Sequence, residues 1–279
     1  MTLTGASHRA RRTCLREPEE HRVAVHCLPG NRRFMKILSI DIGGSKIKVL
    51  MSGETEPRKA PSGRGFTPRL MIEAVKTLAE GWDYEAVSLG YPGLVGESGP
   101  RAEPGNLGGG WVGFDFAAAF ERPVKVVNDA AMQALGSYCG GRMLFLGLGT
   151  GLGSALVSEN VVVTLELGHL TLGRSKPLGE ILGRAGRKRL GSERWQAAVF
   201  DAIPILMNAV SADYVALGGG NAKKLSVLPH GARLGHNQTA FLGGFRLWGM
   251  GPGAAATQVP HEHHTEIPLP SHQGEWRML

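Results

Sequence analysis

A strand, a glycine turn and a returning strand open the foldable part of this chain, and the same arrangement returns further along. Ile37–Ile40 is apolar and stops at an acid, Asp41. Gly43, Gly44 and Ser45 follow, and Lys46–Leu50 then alternates as a half-buried strand does. Downstream, Leu144–Leu148 is a second apolar run and Gly149-Thr150-Gly151 a second glycine turn. Gly153–Val157 is the second returning strand and Val161–Leu165 a third. A unit repeated in this way points to two similar lobes in an α/β fold. Glycines at such bends let backbone N–H groups come close to an anion. Taken singly, the first unit reads slightly better as an ordinary hairpin with a glycine-rich bend.

The intervening elements suit that architecture. Arg58–Gly65 reads as a polar loop, and Thr67-Pro68 as an N-cap and first helical position. Leu70, Ala74, Val75, Leu78 and Trp82 follow at helical spacing. Ala86–Gly90 and Val124–Val127 are short buried strands, Phe114–Phe120 is a short helix, and Ala130–Tyr138 is a helix. Pro177–Leu190 and Ser192–Val210 are helical, with a kink expected at Pro204. Tyr214–Leu217 is a strand that runs into Gly218-Gly219-Gly220-Asn221, and Ala240–Trp248 is a last helix. The expected division is a first lobe over 35–130 and a second over 131–248. Residues 1–34 are expected to be either a disordered leader or a non-native extension. Residues 249–279, rich in Pro, Gly and His, are expected to be a disordered tail.

Charge and cysteine content narrow the function. The formal net charge is +7, but residues 1–34 carry seven arginines against three glutamates, so the remainder is close to +3. A nucleic-acid partner inferred from the overall charge would rest mainly on that leader, so none is expected. The leader lacks an apolar core of signal-peptide length, and no apolar run is long enough to span a bilayer. No membrane partner and a cytoplasmic location are therefore expected. Cys14, Cys27 and Cys139 form neither a disulfide framework nor a zinc-spaced cluster.

Two nucleotide motifs fail on context. Gly44-Ser45-Lys46 reverses the P-loop order and precedes a strand, and Gly149, Gly151 and Gly153 are followed by a strand where a dinucleotide fingerprint opens a helix. The polar residues that remain each have two roles open to them. Asp129, at the end of a buried strand, suits a proton acceptor or a helix N-cap. Asn128 suits a ligand to vicinal hydroxyls or a turn. Glu166 and His169, three apart, share a face on a helical turn and can bind adjacent hydroxyls, or be a helix-start acid and a partly buried histidine. Lys46 is a phosphate ligand or a strand-edge charge. Arg184, Arg187, Lys188 and Arg189 are a polyphosphate contact or, preferably, a solvated helix face. His261, His263 and His264 are expected to bind metal only adventitiously.

Seven segments stand in a recognisable order: DIGGSK at 41–46, YPGLV at 91–95, NLGGGW at 106–111, VVNDA at 126–130, LGTGLGSALV at 148–157, ELGHL at 166–170 and VALGGGN at 215–221. Over residues 36–248 the chain resembles the ROK family of sugar kinases, near its zinc-free polyphosphate glucokinase branch. The resemblance implies a two-lobed actin-like (ribonuclease H-like) ATPase fold. It implies phosphoryl transfer from ATP, with Mg²⁺, to the 6-hydroxyl of a hexose, glucose being the first choice. Inorganic polyphosphate as donor and a sugar-sensing regulator of weak activity are the alternatives. By the same resemblance Asp129 is the general base, and Asn106, Asn128, Glu166, His169 and Glu180 contact the sugar. Asp41 orients Mg²⁺ through water. Gly43, Gly44, Ser45 and Lys46, with Gly149, Thr150 and Gly151, hold phosphates, while Gly218, Gly219, Gly220 and Asn221 lie against the nucleotide. Many members carry a cysteine-rich zinc motif after the segment matching 166–170. Thr171–Arg189 has no cysteine, so no zinc is expected here. A homodimer is expected because related kinases often form one.

Overall fold

The computed structural model describes residues 35–173, 176–235, 238–249 and 276–279. The leader, with Cys14 and Cys27, and the tail histidines His261, His263 and His264 lie outside them.

The first sheet is built from β1 (Ile37–Ile42), β2 (Lys46–Met51), β3 (Arg58–Pro61), β4 (Ala86–Tyr91) and β7 (Val124–Asn128), in the order β3-β2-β1-β4-β7. Helices α1 (Pro68–Leu78) and α2 (Phe116–Phe120) and a small hairpin, β5 (Val95–Gly96) with β6 (Gly99–Pro100), fill the connections. The second sheet holds β8 (Arg142–Leu148), β9 (Leu152–Ser158), β10 (Val161–Leu165), β11 (Tyr214–Gly218), β12 (Ala232–Leu234) and β13 (Arg277–Met278), in the order β12-β11-β8-β9-β10-β13. In each sheet the first three strands form an antiparallel meander. Two parallel strands then join on the far side of the first strand. That is the duplication implied by the repeated strand–turn–strand unit.

Helices α3 (Asp129–Ser137) and α6 (Thr239–Arg246) lie between the sheets and cross closely. A Cβ on Gly136 would run into the Thr239 carbonyl, and one on Gly243 into the Met132 carbonyl, so the crossing needs glycine at both places. α6 falls in the stretch expected as a second lobe, yet its Phe241 and Phe245 pack on Ile37 and Leu50 of the first sheet. Helices α4 (Leu178–Leu182) and α5 (Arg184–Ala209) cover the second sheet, with Trp195, Val199, Ile203 and Leu206 buried against Leu144, Leu146 and Leu217.

Several local expectations need correction. Arg58–Pro61 is an edge strand, not a loop. Three of its four residues are exposed, so its composition reads as polar although its backbone completes the sheet. In α1, capped by Thr67, the buried face is Met71, Ile72 and Val75, and Leu70 is exposed. Within α5, Gly191, whose φ of 77° is left-handed, separates the stretches expected as two helices, while the expected first helix is itself divided at Gly183 into α4 and the start of α5. The last four residues of the stretch expected as a disordered tail are ordered. Arg277–Met278 pairs in parallel with β10, and Trp276 meets the Tyr138 ring edge-on at 5.7 Å.

Candidate active site

Asp41 comes from β1, Asp129 from the start of α3 and Glu166 from the residue after β10, and the charges of Asp41 and Glu166 act on Asp129. Burial, then the Asp41 charge, and to a lesser degree Glu166, push the Asp129 carboxyl up to about 7, against the lowering effect of its hydrogen bond from the Ala130 N–H. Asp129 Oδ1 accepts from that N–H at 2.8 Å, and the side chain keeps part of its surface open. The capping role open to Asp129 is filled by its neighbour. Asn128 Oδ1 accepts from the Ala130 and Ala131 N–H groups at 2.9 and 3.1 Å, while its Nδ2 donates to Gly93 O at 3.0 Å. Asn128 thus spends most of its hydrogen-bonding capacity fixing the start of α3, which leaves the Asp129 carboxylate free of that duty.

Asp41 pairs with a residue that the motifs did not single out. Lys48 Nζ donates to Asp41 Oδ2 at 3.0 Å, and the two stand directly opposite in the β1–β2 register. The hairpin register itself was the available signal, since a turn centred on Gly44 and Ser45 sets position 48 against position 41. Lys46, on the same strand, is exposed at the turn. The turn is braced by Ser62, whose Oγ donates to Gly43 O at 2.6 Å and whose N–H donates to Ser45 O at 3.1 Å. Gly43 donates its own N–H to Lys46 O at 3.0 Å, so that group closes the turn and is not a free phosphate donor.

Asn106 is brought to this turn: its amide occupies the place that a Cβ on Gly44 would need. Glu103, also unforeseen, holds the loop that carries Asn106 by accepting from the Trp111 and Val112 N–H groups at 3.1 and 3.2 Å. Trp111 is fully buried, donates Nε1–H to Gly108 O at 2.8 Å and stacks near Tyr91, which makes it a packing residue.

The second glycine turn is a knot of backbone contacts. Gly149 donates its N–H to Gly147 O and Gly151 O, and its own carbonyl accepts from Asn221 Nδ2 and the Arg184 N–H, both at 3.0 Å. Asn221, expected against a nucleotide, is buried and ties Gly218–Asn221 to this turn; its N–H also donates to Leu148 O at 2.9 Å. Gly219, at φ 79°, leaves no room for a side chain beside the Leu148 carbonyl. Thr150, Gly151 and Gly220 stay exposed, while Gly218 is buried at the strand end.

Glu166 and His169 flank a single 3-10 turn with Nε2 and Oε2 3.7 Å apart, and both side chains are exposed. Glu180 lies on α4, which packs on this turn through Gly179 against Gly168. Its carboxylate is 3.5 Å from Lys176 Nζ and faces solvent, so the structure joins its helix, but not its acid, to the other candidates. Among the described residues no cluster of three or more His, Cys, Asp or Glu side chains is arranged to hold a metal ion. A cation at Asp41 would take most of its ligands from water and phosphate, which is the habit of Mg²⁺. Asp41 has Oδ1 available for that, so the residues fit such an ion.

Known proteins resemble this chain in sequence and in fold. The model of the ROK family matches residues 37–185. The N-acetylmannosamine kinase of Citrobacter koseri is 31% identical over 173 residues, which are 55% of this chain and 59% of that protein; the match thus spans less than two thirds of the relative. The polyphosphate glucokinase of Mycobacterium tuberculosis is 24% identical over 226 residues, 70% of this chain and 82% of that one. Among solved structures, the inorganic polyphosphate/ATP-glucomannokinase of Arthrobacter sp. strain KM superposes with a TM-score of 0.65 at 23% identity, covering 76% of this chain and 97% of its own.

Proposed function

The chain belongs to the ROK family and has the two-lobed actin-like ATPase fold of its structural neighbours, and from that premise we propose that it is a cytoplasmic hexose kinase using ATP. The observation that carries this is the convergence of Asp41, Asp129 and Glu166, with Asp129 relieved of capping and held near neutrality. Phosphoryl transfer needs placement and charge control more than covalent chemistry. Asp129 takes the proton of the sugar 6-hydroxyl as that oxygen attacks the terminal phosphorus of the donor. A base that titrates close to the working pH suits that task. Glu166 and His169 hold ring hydroxyls from one side and Asn106 from the other. Asp41 would hold Mg²⁺ through water, and that ion, when bound, neutralises charge on the donor phosphates. Thr150 and Lys46, exposed at the two glycine turns, contact those phosphates. Glucose is the first acceptor to try.

A second donor has support of its own. Arg184, whose N–H binds Gly149 O, is exposed, as are Lys188 one turn on and Lys223 and Lys224 just after Asn221. Cations gathered around one phosphate turn suit a linear polyanion, which has no base to recognise. A coupled assay over a panel of hexoses, with ATP and inorganic polyphosphate run in parallel, tests both donors. Transfer from ATP to a hexose supports the proposal, and transfer from polyphosphate alone replaces the donor. Saturable sugar binding without transfer from either would leave a sugar-sensing protein and sink the kinase assignment.

A further inference from the structure

Ser154 lies in the middle of β9 with 1% of its surface exposed, yet its hydroxyl makes two hydrogen bonds that straddle one residue. Oγ donates to Leu165 O at 2.8 Å and accepts from the Leu167 N–H at 3.1 Å. The residue between them is Glu166. Ser154 and Leu165 are direct partners, the last pair of the β9–β10 ladder. Beyond that pair the backbone leaves the sheet, and Glu166 has φ −113° and ψ 47°. A strand that turns away there would strand a carbonyl and an N–H beside the sheet, and unpaired buried groups are costly. A serine hydroxyl both donates and accepts, so it pairs the two at once. The next contacts carry this order onward. The His169 N–H donates to Glu166 O at 3.1 Å, and Gly168 packs against the Leu152 carbonyl and Gly179.

We propose that Ser154 is the positioning residue that sets Glu166, and through it His169, for the sugar acceptor. It touches neither substrate nor donor. The inference rests on the sugar-kinase reading given above, and it makes a claim that reading does not: the acceptor side of the site is set from beneath by one buried hydroxyl. Removing the hydroxyl loosens Glu166 and leaves the donor turns, which Ser62, Asn221 and Arg184 brace, as they are.

The test combines titration calorimetry with glucose, steady-state kinetics and amide hydrogen exchange on the full chain. Ser154→Ala is expected to weaken glucose binding and raise the glucose KM by about tenfold, the loss of roughly one buried hydrogen bond. The donor KM should stay within about twofold, since the donor turns are braced separately. Exchange at the Leu167 amide should rise. Glu166→Gln should cost acceptor affinity in the same way, and Ser154→Ala added to Glu166→Gln should cost clearly less than it does alone, because the two act through one contact. Ser154→Cys, close in volume with a weaker donor, should fall between wild type and alanine, and it serves if the alanine variant does not fold. Equal rises in acceptor and donor KM, full additivity with Glu166→Gln, or a Leu167 amide protected as in wild type would each overturn the inference. Wild-type protein that binds glucose while Ser154→Ala binds it equally well refutes Ser154 alone. Wild-type protein that neither binds nor phosphorylates any hexose refutes the kinase reading and this inference with it.

Discussion

Asp129 is the first residue of α3, and the cap that precedes it is made by Asn128. The carboxyl therefore accepts one helix N–H, that of Ala130, without serving as the cap, and the charges that act on it are those of other acids. Asp129→Asn should lower kcat by roughly 10²–10⁴-fold, the range for a lost general base, with glucose affinity largely kept. Isothermal titration beside kinetics would check the split. With the carboxyl pushed up to about 7, kcat/KM should rise with pH through neutrality and level off above it. The stability effect has the opposite sign. A folded pKa raised above the unfolded carboxylate value means that the native state holds the proton more tightly. The associated stability is present at low pH and is lost as pH rises from the unfolded value through about 7. The gain in melting temperature of Asp129→Asn over wild type should therefore be larger at pH 8 than at pH 5, values chosen on either side of that titration.

Among the elements, α3 carries Asn128 and Asp129 at one end and is gripped by α6 near the other. Gly136 meets the Thr239 carbonyl and the Gly243 N–H; Gly243 meets the Met132 carbonyl and the Gly136 N–H. Alanine would gain up to about 1 kcal/mol in helix propensity at either place. Both obstacles are helix backbone that cannot swing aside, so the steric term wins. Gly136→Ala should lose about 2 kcal/mol, measured by denaturant unfolding, and should lower kcat because α3 shifts with Asp129 on it. Strand alternation, the Thr67 cap and the helical spacing in α1 were legible in the sequence because each is a local preference. β3 and β13 were not. Arg58–Pro61 is polar and Arg277–Met278 is two residues long, and each becomes a strand only because an open sheet edge lies beside it.

At the scale of the whole molecule, a ligand that binds only the folded state stabilises it by mass action. Glucose at about a hundred times its Kd should add about 2.7 kcal/mol to the unfolding free energy, measurable by denaturant titration with and without sugar. An unrelated sugar that is not phosphorylated should add nothing. Among the described residues no helix is long and apolar enough to cross a membrane.

The sequence alone determined the duplication, the placement of Asp41 and of Asn128-Asp129 at strand ends, and the two glycine turns, since periodicity, turn chemistry and caps are read over a few neighbouring residues. Only the tertiary structure decided what those residues do to each other. It set Lys48 on Asp41, gave the cap to Asn128 and not to Asp129, spent Asn221 on the Gly149 carbonyl, and put the Ser154 hydroxyl beneath Glu166. The Asn221 contact spans 72 residues, whereas the Asn128 cap, the Asp41–Lys48 pair and the Ser154 bonds span between 2 and 13. All of them depend on backbone angles, burial and strand register, which residue types alone do not spell out.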